Sequence, residues 1–549
     1  MGGQASGSAS GPTLGIEEEL HVLEADTGRL TSRGPQVRDS FAGSPHDGAL
    51  VLEMTLSQAE AVTAISADVD EVISRAARLR SAAAAAAASH GLALAAAGTP
   101  LLGDPAEQLV ADDQRYLALR ARAAGLVSQQ LIAGMHVHLG VGDPDQRVEE
   151  VDDDARVAVV DAVRPWLPTL LALTANSPYW FGVDTGFASY RQVHWQRWPV
   201  AGPPPLSRDA KQWHQLVADV VATGVVEDAS YVYWDVRLAS RFPTVEVRVA
   251  DVQASVQDAA TYTCLLRGLA AQALAEHTPA RSDRAGWREV PTHVLRAASW
   301  RAARYGLDEQ LVDPVSATLR PAAVVVRALL DAARPGLQVT GELEQAVEGL
   351  RQITQDGNGA QRQRAAFARA GWAGVQQVVR VDAVGAAANA PPRTLNDGNG
   401  WVDCACGLRH WGRNGAAGLL ILRPGEGGQE VLMQLRSPWT HQGGTWGLPG
   451  GARDSHESTA AAARREAAEE TGLDPFVVQD VGEHRVDHGA WSYTYVLATA
   501  PAQTPVYVAN RESDAVEWVP LDDVAARVLH PALALEWPRL RELVRGVRC

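Results

Sequence analysis

"TLGIEEELHVL", residues 13–23, sets three glutamates in a row inside a stretch that otherwise reads as an apolar strand. In an extended chain successive side chains point to opposite faces, so Glu17, Glu19 and His21 share one face while Ile16, Leu20 and Val22 share the other. Glu18 is the misfit, an acid on the apolar side. Two more segments carry the same alternation. In "GMHVHLGV" (134–141) His136 and His138 oppose Met135, Val137, Leu139 and Val141, and in "TVEVRVADV" (244–252) Glu246 and Arg248 oppose Val245, Val247 and Val249.

A sheet built from these strands has an apolar back and a front carrying glutamates, histidines and an arginine. Alternation in one strand reports only a sheet with one solvated face; three strands with the same polar set say more. Clustered carboxylates repel unless a proton or cation compensates them. Mg²⁺ prefers oxygen ligands and shares substrate phosphates, so ATP–Mg²⁺ chemistry fits such a surface.

A second group of acids lies in "GGARDSHESTAAAARREAAEETGL", residues 450–473. The spacing predicts a helix on which Glu466, Glu469 and Glu470 stand at i, i+3 and i+4, on one side, where they can hold divalent cations. The alanines keep the opposite face thin enough for close packing on a sheet, and Gly472 closes the helix.

The chain has 549 residues, more than one hydrophobic core usually supports, so at least two domains are expected. "VGAAANAPPRTLNDGNG" (384–400) has no periodic apolar stripe and reads as a linker. The expected organisation is a flexible tail at 1–11, a domain at 12–382, a linker at 383–399 and a domain at 400–549. The alanine run at 82–88 continues a helical apolar spacing and is read as an ordinary helix. A formal charge of −16 argues against general nucleic-acid binding. No uninterrupted apolar run reaches the roughly 20 residues that span a bilayer, and the first residues carry neither a basic nor an apolar signal region. Four scattered cysteines make no disulfide framework. These features predict a cytoplasmic protein without membrane attachment.

In the first block, "TLGIEEEL", "LEMTLSQAEAVT", "GMHVHLG", "NSPYWFGVDTGFASYR", "DVRLASRFPTVEVRV" and "ARYGL" follow one another in an order that resembles the YbdK-like carboxylate-amine ligases, the glutamate–cysteine ligase type 2 family. The resemblance covers essentially all of 12–382. It implies an α+β, glutamine-synthetase-like domain whose antiparallel sheet is the active-site floor. It also implies Mg²⁺ ligands at Glu17, Glu19, Glu53, Glu60, His136 and Glu246, with ATP as co-substrate. Arg248 would neutralise phosphate charge during transfer, and Arg191 and Arg237 are candidate binders of substrate carboxylate or phosphate. His138 is read as a support for the fold. The implied reaction is phosphorylation of a carboxylate to an acyl phosphate followed by attack of an amine, nominally glutamate plus cysteine giving γ-glutamylcysteine.

The second block resembles the Nudix box at every fixed position: Gly451, Glu457, Arg465, Glu466, Glu469, Glu470 and Gly472. The resemblance implies an α/β/α domain in which Glu466, Glu469 and Glu470 bind Mg²⁺ or Mn²⁺ while Glu457 and Arg465 brace loop and helix. Its substrate would be a nucleotide-like diphosphate, hydrolysed by a metal-activated water. Glu512 is a candidate general base. Ala467 departs from the family's bulky aliphatic at that place. "AAGLLIL", "EVLMQLR" and "SYTYVLA" read as its strands, and "AVEWVPLDDV" as the strand and turn that lead to its final helix.

The leading reading is thus a bifunctional enzyme acting on small molecules: ATP, an amino-acid carboxylate, an amine and a nucleotide-like diphosphate. The alternative is a ligase regulated by a non-hydrolysing, nucleotide-sensing Nudix domain. Oligomeric state stays open, a homo-oligomer included. Cys404, Cys406 and His410 invite a zinc reading, but closed structural sites need four ligands and usually show C-x₂₋₄-C, so ordinary packing is expected there.

Overall fold

The computed structural model describes residues 11–144, 146–277, 289–382, 398, 400–404, 407, 409–425, 427–438, 442–454, 458–474, 477–489, 491–509 and 513–547. The chain forms two compact units, residues 1–388 and 389–549. Apart from Gly11 and Gly398, the expected tail and linker lie outside the described residues.

The first unit is organised by a sheet of eight strands: β1 (Leu14–Glu24), β2 (Gly48–Leu52), β3 (Gln58–Thr63), β4 (Leu92–Ala95), β5 (Gly134–Gly140), β6 (Val236–Leu238), β7 (Thr244–Asp251) and β8 (Arg380–Val381). Their order is β8-β4-β1-β5-β7-β6, with β3 also paired to β1 and β2 to β3. Every pairing is antiparallel. The three alternating strands read from the sequence, β1, β5 and β7, are therefore immediate neighbours at the centre of the sheet.

The apolar back packs on helices. Leu20, Val22, Ala59 and Ala61 share a core with Leu79, Ala83 and Ala87 of α1 (Val69–Ala88). Asp68 caps this helix by accepting from the Glu71 N–H at 2.8 Å, and its alanines let the helix approach the sheet closely. The misfit Glu18 is buried on this side because Arg80 of α1 meets it with two bonds, 2.7 Å from Nε and 2.6 Å from Nη2. Arg80 Nη2 also donates to the Gln253 carbonyl at 2.6 Å, so the buried pair is well satisfied. The helical run Asp153–Thr174 is long and apolar enough to cross a membrane, but 89% of its apolar window is buried inside the unit, as a core helix is.

The second unit has a mixed sheet of β9 (Ala416–Gly425), β10 (Gly428–Arg436), β11 (Trp446–Gly447), β12 (Gly450–Ala452), β13 (Gln479–Asp487), β14 (Ser492–Thr499) and β15 (Ser513–Pro520). β9 runs parallel to β14 and antiparallel to β10 and β12. Alternate residues of β9 enter opposite cores. Leu419 and Ile421 meet Ala462, Ala463 and Ala467 of α2 (Thr459–Thr471), while Leu420 and Leu422 meet Leu533, Trp537 and Leu540 of α3 (Pro531–Val544). This is the expected α/β/α layering. Ala467 is fully buried, so the small side chain there sets a close helix-to-sheet approach.

Candidate functional site

Register assembles the first site. Glu19 lies opposite Glu60, Glu17 opposite His136, and Glu246 opposite both His138 and Arg237. Residues directly opposite in a sheet share a face, so these side chains converge on the front. His136 Nδ1 is 3.1 Å from Glu17 Oε2, and His138 Nε2 is 3.2 Å from Glu17 Oε1. His138 thus touches the acid cluster directly, a role beyond the fold support read from the sequence. Glu53 joins the same cavity, which encloses about 270 Å³ and has Trp195, Trp198, Tyr116, Tyr233 and Phe242 among its lining residues.

Three arginines face the acids. Arg237 Nε donates to Glu246 Oε2 at 2.8 Å, and Arg248 Nη1 bonds the other oxygen of the same carboxylate. Arg191 is almost wholly buried and donates to the carbonyls of Val249 and Arg248 at 3.3 and 3.1 Å. Trp195 lies 5.8 Å from the Arg191 guanidinium and 5.4 Å from that of Arg248, within cation–π range. The buried carboxylate of Asp235 accepts from Trp195 Nε1 at 3.1 Å and so fixes that ring.

Burial pushes the Glu19 carboxyl up to about 7, helped by the charge of Glu53 and opposed by Arg191. Glu60 is pushed well above the ordinary range by burial and then by Glu53, Glu17 and Glu19. Burial also works to raise Glu17, but hydrogen bonds from His136 and His138 outweigh it and hold this acid far below the usual range. For Glu246 burial is likewise outweighed, here by the charges of Arg248 and Arg237. Burial, then the Arg248 charge, lowers His136 to about 4. The face therefore holds more carboxylate than its arginines neutralise. Two donor sets share His136: Glu17 with Glu246, and Glu19 with Glu60, each with ligand atoms within 4.8 Å of one another. Mostly oxygen donors with one imidazole suit a hard divalent cation.

Some motif residues have a structural task. Asp251, at the end of β7, accepts from the Asn176 N–H at 2.7 Å, Ser177 Oγ at 2.6 Å and Ser189 Oγ at 2.8 Å. That carboxylate holds together both ends of "NSPYWFGVDTGFAS" and thereby places Arg191.

In the second unit, Ser458 caps α2 by accepting from the Ala461 N–H at 3.1 Å, and Gly472 ends it at φ +62°. Glu470 points inward and accepts from Gly450 N–H and Gln434 Nε2, both at 2.9 Å. Burial, then the charge of Glu466, pushes it up to about 8. Arg465 donates to the Ala452 carbonyl at 3.0 Å and reaches Glu466 at 3.0 Å and Glu469 at 3.4 Å, bracing helix to strand. A Cβ on Gly451 would stand 2.4 Å from Glu466 Oε1, so glycine there leaves room for that carboxylate. Among the described residues the three box acids do not meet within the 4.8 Å of the first unit's donor sets, because Glu469 faces outward and Glu470 inward. Glu457 and Glu512 lie outside the described residues. Arg464 escaped the sequence reading; it is buried and donates to the Val478 carbonyl at 3.0 Å, fastening the helix to the loop before β13.

An acid-lined antiparallel floor in one unit and a Nudix helix in the other define a ligase-type domain joined to a Nudix fold. Residues 13–381 match the glutamate-cysteine ligase family 2 (GCS2), and residues 412–543 match the NUDIX domain. The chain belongs to glutamate-cysteine ligase family 2 and carries a C-terminal NUDIX domain. A Streptomyces coelicolor protein that bears the provisional name glutamate–cysteine ligase 2 is 39% identical over 363 residues, 65% of this chain and 95% of that protein. Among solved structures, the glutamate–cysteine ligase of Francisella tularensis in complex with AMP has a TM-score of 0.52 at 13% identity, covering 68% of this chain and 88% of its own, a likeness of fold. The M. smegmatis Nudix hydrolase RenU is 46% identical over 28% of this chain and 98% of its own, with a TM-score of 0.26.

Proposed function

We propose that the first unit joins a carboxylate to an amine at the expense of ATP, through an acyl phosphate and with release of ADP, glutamate and cysteine being the nominal pair. The observation that carries this reading is the convergence of Glu17, Glu19, Glu60, Glu246 and His136 on one face, opposite Arg191, Arg237 and Arg248. Glu17, Glu19, Glu53, Glu60, His136 and Glu246 would hold Mg²⁺ or Mn²⁺. Such a cation, when bound, neutralises polyphosphate charge and polarises the transferred phosphoryl group.

The chain's own groups account for the rest. Phosphoryl transfer asks mainly for positioning and for charge placed where the transition state needs it. Arg248 is fixed by Glu246 and by Trp195, so its guanidinium is held ready to meet phosphate oxygens without reorganising. Arg191, set by the Asp251 network, and Arg237, set by Glu246, supply forked donors for a carboxylate or phosphate. The aromatic wall shields the reacting carboxylate and the acyl phosphate from water. A carboxylate oxygen of the substrate attacks the γ-phosphorus and ADP leaves; the amine then attacks the acyl carbon and inorganic phosphate leaves.

For the second unit we propose hydrolysis of a nucleoside diphosphate-linked substrate, with Glu466, Glu469 and Glu470 holding the cation. The test is a screen of the full chain with ATP, Mg²⁺ and panels of carboxylates and amines. ADP release that depends on the carboxylate, with product formation that needs the amine, supports the ligase reading. AMP and pyrophosphate in place of ADP reject the acyl-phosphate route. Phosphate-containing cleavage products from a nucleoside diphosphate panel test the second unit, and their absence alongside tight nucleotide binding favours a sensing domain.

A further inference from the structure

We propose that Cys404, His410 and His488 form a further metal site in the second unit, taking a zinc-class divalent cation and stapling the ribbon Trp401–Asp403/Arg409–Trp411 to the turn between β13 and β14. Their sulfur and nitrogen donors lie within 4.8 Å of one another. A tetrahedral zinc ion with ordinary Zn–S and Zn–N bonds needs donors about 3.3–3.8 Å apart, so a closure on the order of 1 Å completes the site. Thiolate with imidazole is a donor set for zinc and not for Mg²⁺, which separates this site chemically from the carboxylate clusters.

The backbone brings these residues together. The two ribbon strands pair with Val402 opposite His410, and the Gly407 N–H donates to the Cys404 carbonyl at 3.0 Å, closing a turn in which Gly407 takes φ +83°. Cys404 and His410 thus return to one end of the ribbon. His488 arrives from the sheet, in a turn where its N–H donates to the Trp491 carbonyl at 2.8 Å. Cys404 Sγ lies 3.4 Å from the His488 carbonyl. The His410 ring stacks on Trp491 at 4.1 Å and 9°, and Trp491 Nε1 donates to the Trp411 carbonyl at 3.1 Å. The His410 and His488 rings stand 4.7 Å apart. Ring orientation is thereby set before any ion binds. Three protein donors leave a fourth position for water, an open site and not the closed four-ligand kind. In the sequence, Cys404, Cys406 and His410 favour ordinary packing on spacing and ligand number; His488, which arrives from a distant hairpin, is absent from that reading, and Cys406 lies outside the described residues.

The experiment uses the full chain, stripped with a chelator and titrated with Co²⁺ in excess Mg²⁺, which occupies the carboxylate sites. Expected is a single equivalent with thiolate-to-cobalt charge-transfer absorption, discharged by Zn²⁺ and lost in Cys404→Ser and His488→Asn. Absence of the band in the wild type overturns the proposal, as does a band that survives Cys404→Ser. A readout on the wild type alone covers the case of a variant that does not fold: Zn²⁺ slows alkylation of Cys404, mapped by mass spectrometry, and an unchanged rate equally overturns the site.

Discussion

Glu17 and His136 stand directly opposite each other on neighbouring antiparallel strands, with Oε2 and Nδ1 3.1 Å apart. The contact is a product of register. Slipping β5 by one residue against β1 would send His136 to the apolar back and bring Met135 or Val137 to the front. The same holds for Glu19 with Glu60 and for His138 with Glu246. Sheet pairing and site assembly are therefore one event.

Glu246→Gln tests the centre of that assembly. The wild-type carboxylate is buried between Arg237 and Arg248, and glutamine keeps its shape while leaving two guanidinium groups without their anion. We predict that carboxylate-dependent ADP release falls by about 10²-fold or more. Denaturant unfolding should show a loss of up to about 3–5 kcal/mol, the usual consequence of breaking a buried pair. Retained turnover would show that β7 does not carry the catalytic face.

Removing divalent cations should loosen the same face. Glu17, Glu19, Glu53 and Glu60 repel one another there, so a cation bound to the folded state alone raises its stability. At a concentration about 100 times its dissociation constant the gain is about 2.7 kcal/mol. Thermal melts of chelator-treated protein with and without Mg²⁺ read this directly. Glu60→Gln should shrink the Mg²⁺-induced shift, and an undiminished shift would place the cation elsewhere.

A pH effect follows from His21, buried with neither ring nitrogen hydrogen-bonded among the described residues and lowered by burial to about 3. Below its ordinary value of about 6.5 the unfolded chain takes up a proton that the folded chain refuses. The stability tied to this residue is thus whole above pH 6.5 and is lost progressively as pH falls toward 3. At pH 5 the loss amounts to about 2 kcal/mol. Relative to the wild type, His21→Leu should recover about that much between pH 7.5 and pH 5 in paired denaturation curves. Parallel curves for the two proteins would mean that His21 is hydrated or paired in solution.

The period of two in a strand writes a polar face directly into the sequence, which is why Glu17, Glu19, His136 and Glu246 were legible before any fold was known. Their adjacency was not, because pairing order depends on contacts between distant strands. Glu18 looked misplaced since its partner, Arg80, sits on a helix far along the chain. Asp235 opens the motif "DVRLAS" and was in view, yet its hold on Trp195 emerges only when helix and strand meet. In the second unit the box spacing fixed the helix. It did not reveal that Glu469 and Glu470 turn apart, since side-chain direction there is set by Arg465, Gln434 and the Gly450 N–H.

Gly451→Ala probes that helix from outside it. The added Cβ would meet the flexible end of Glu466, so the carboxylate moves while the backbone stays. Stability should change little, and hydrolysis of the diphosphate substrate should fall by about tenfold or more as one acid leaves its place. A variant with unaltered turnover would show that Glu466 works from another rotamer.

Glu469→Gln decides between two independent activities and a ligase governed by its NUDIX domain. Glu469 is the most exposed of the three box acids, 43% accessible at its side chain, and its tie to Arg465 is a solvent-screened i,i+4 pair of small energetic value. Its replacement should leave the fold intact. One charge fewer remains to hold a cation, so diphosphate hydrolysis should be abolished and Mn²⁺ affinity lowered. If the two activities are independent, ADP release by the full-length variant stays at the wild-type rate across nucleotide concentrations. A severalfold change in ligase rate or in nucleotide affinity, reproduced when the chain is cut between residues 382 and 400, would instead mean that nucleotide binding at the NUDIX domain sets the ligase's rate.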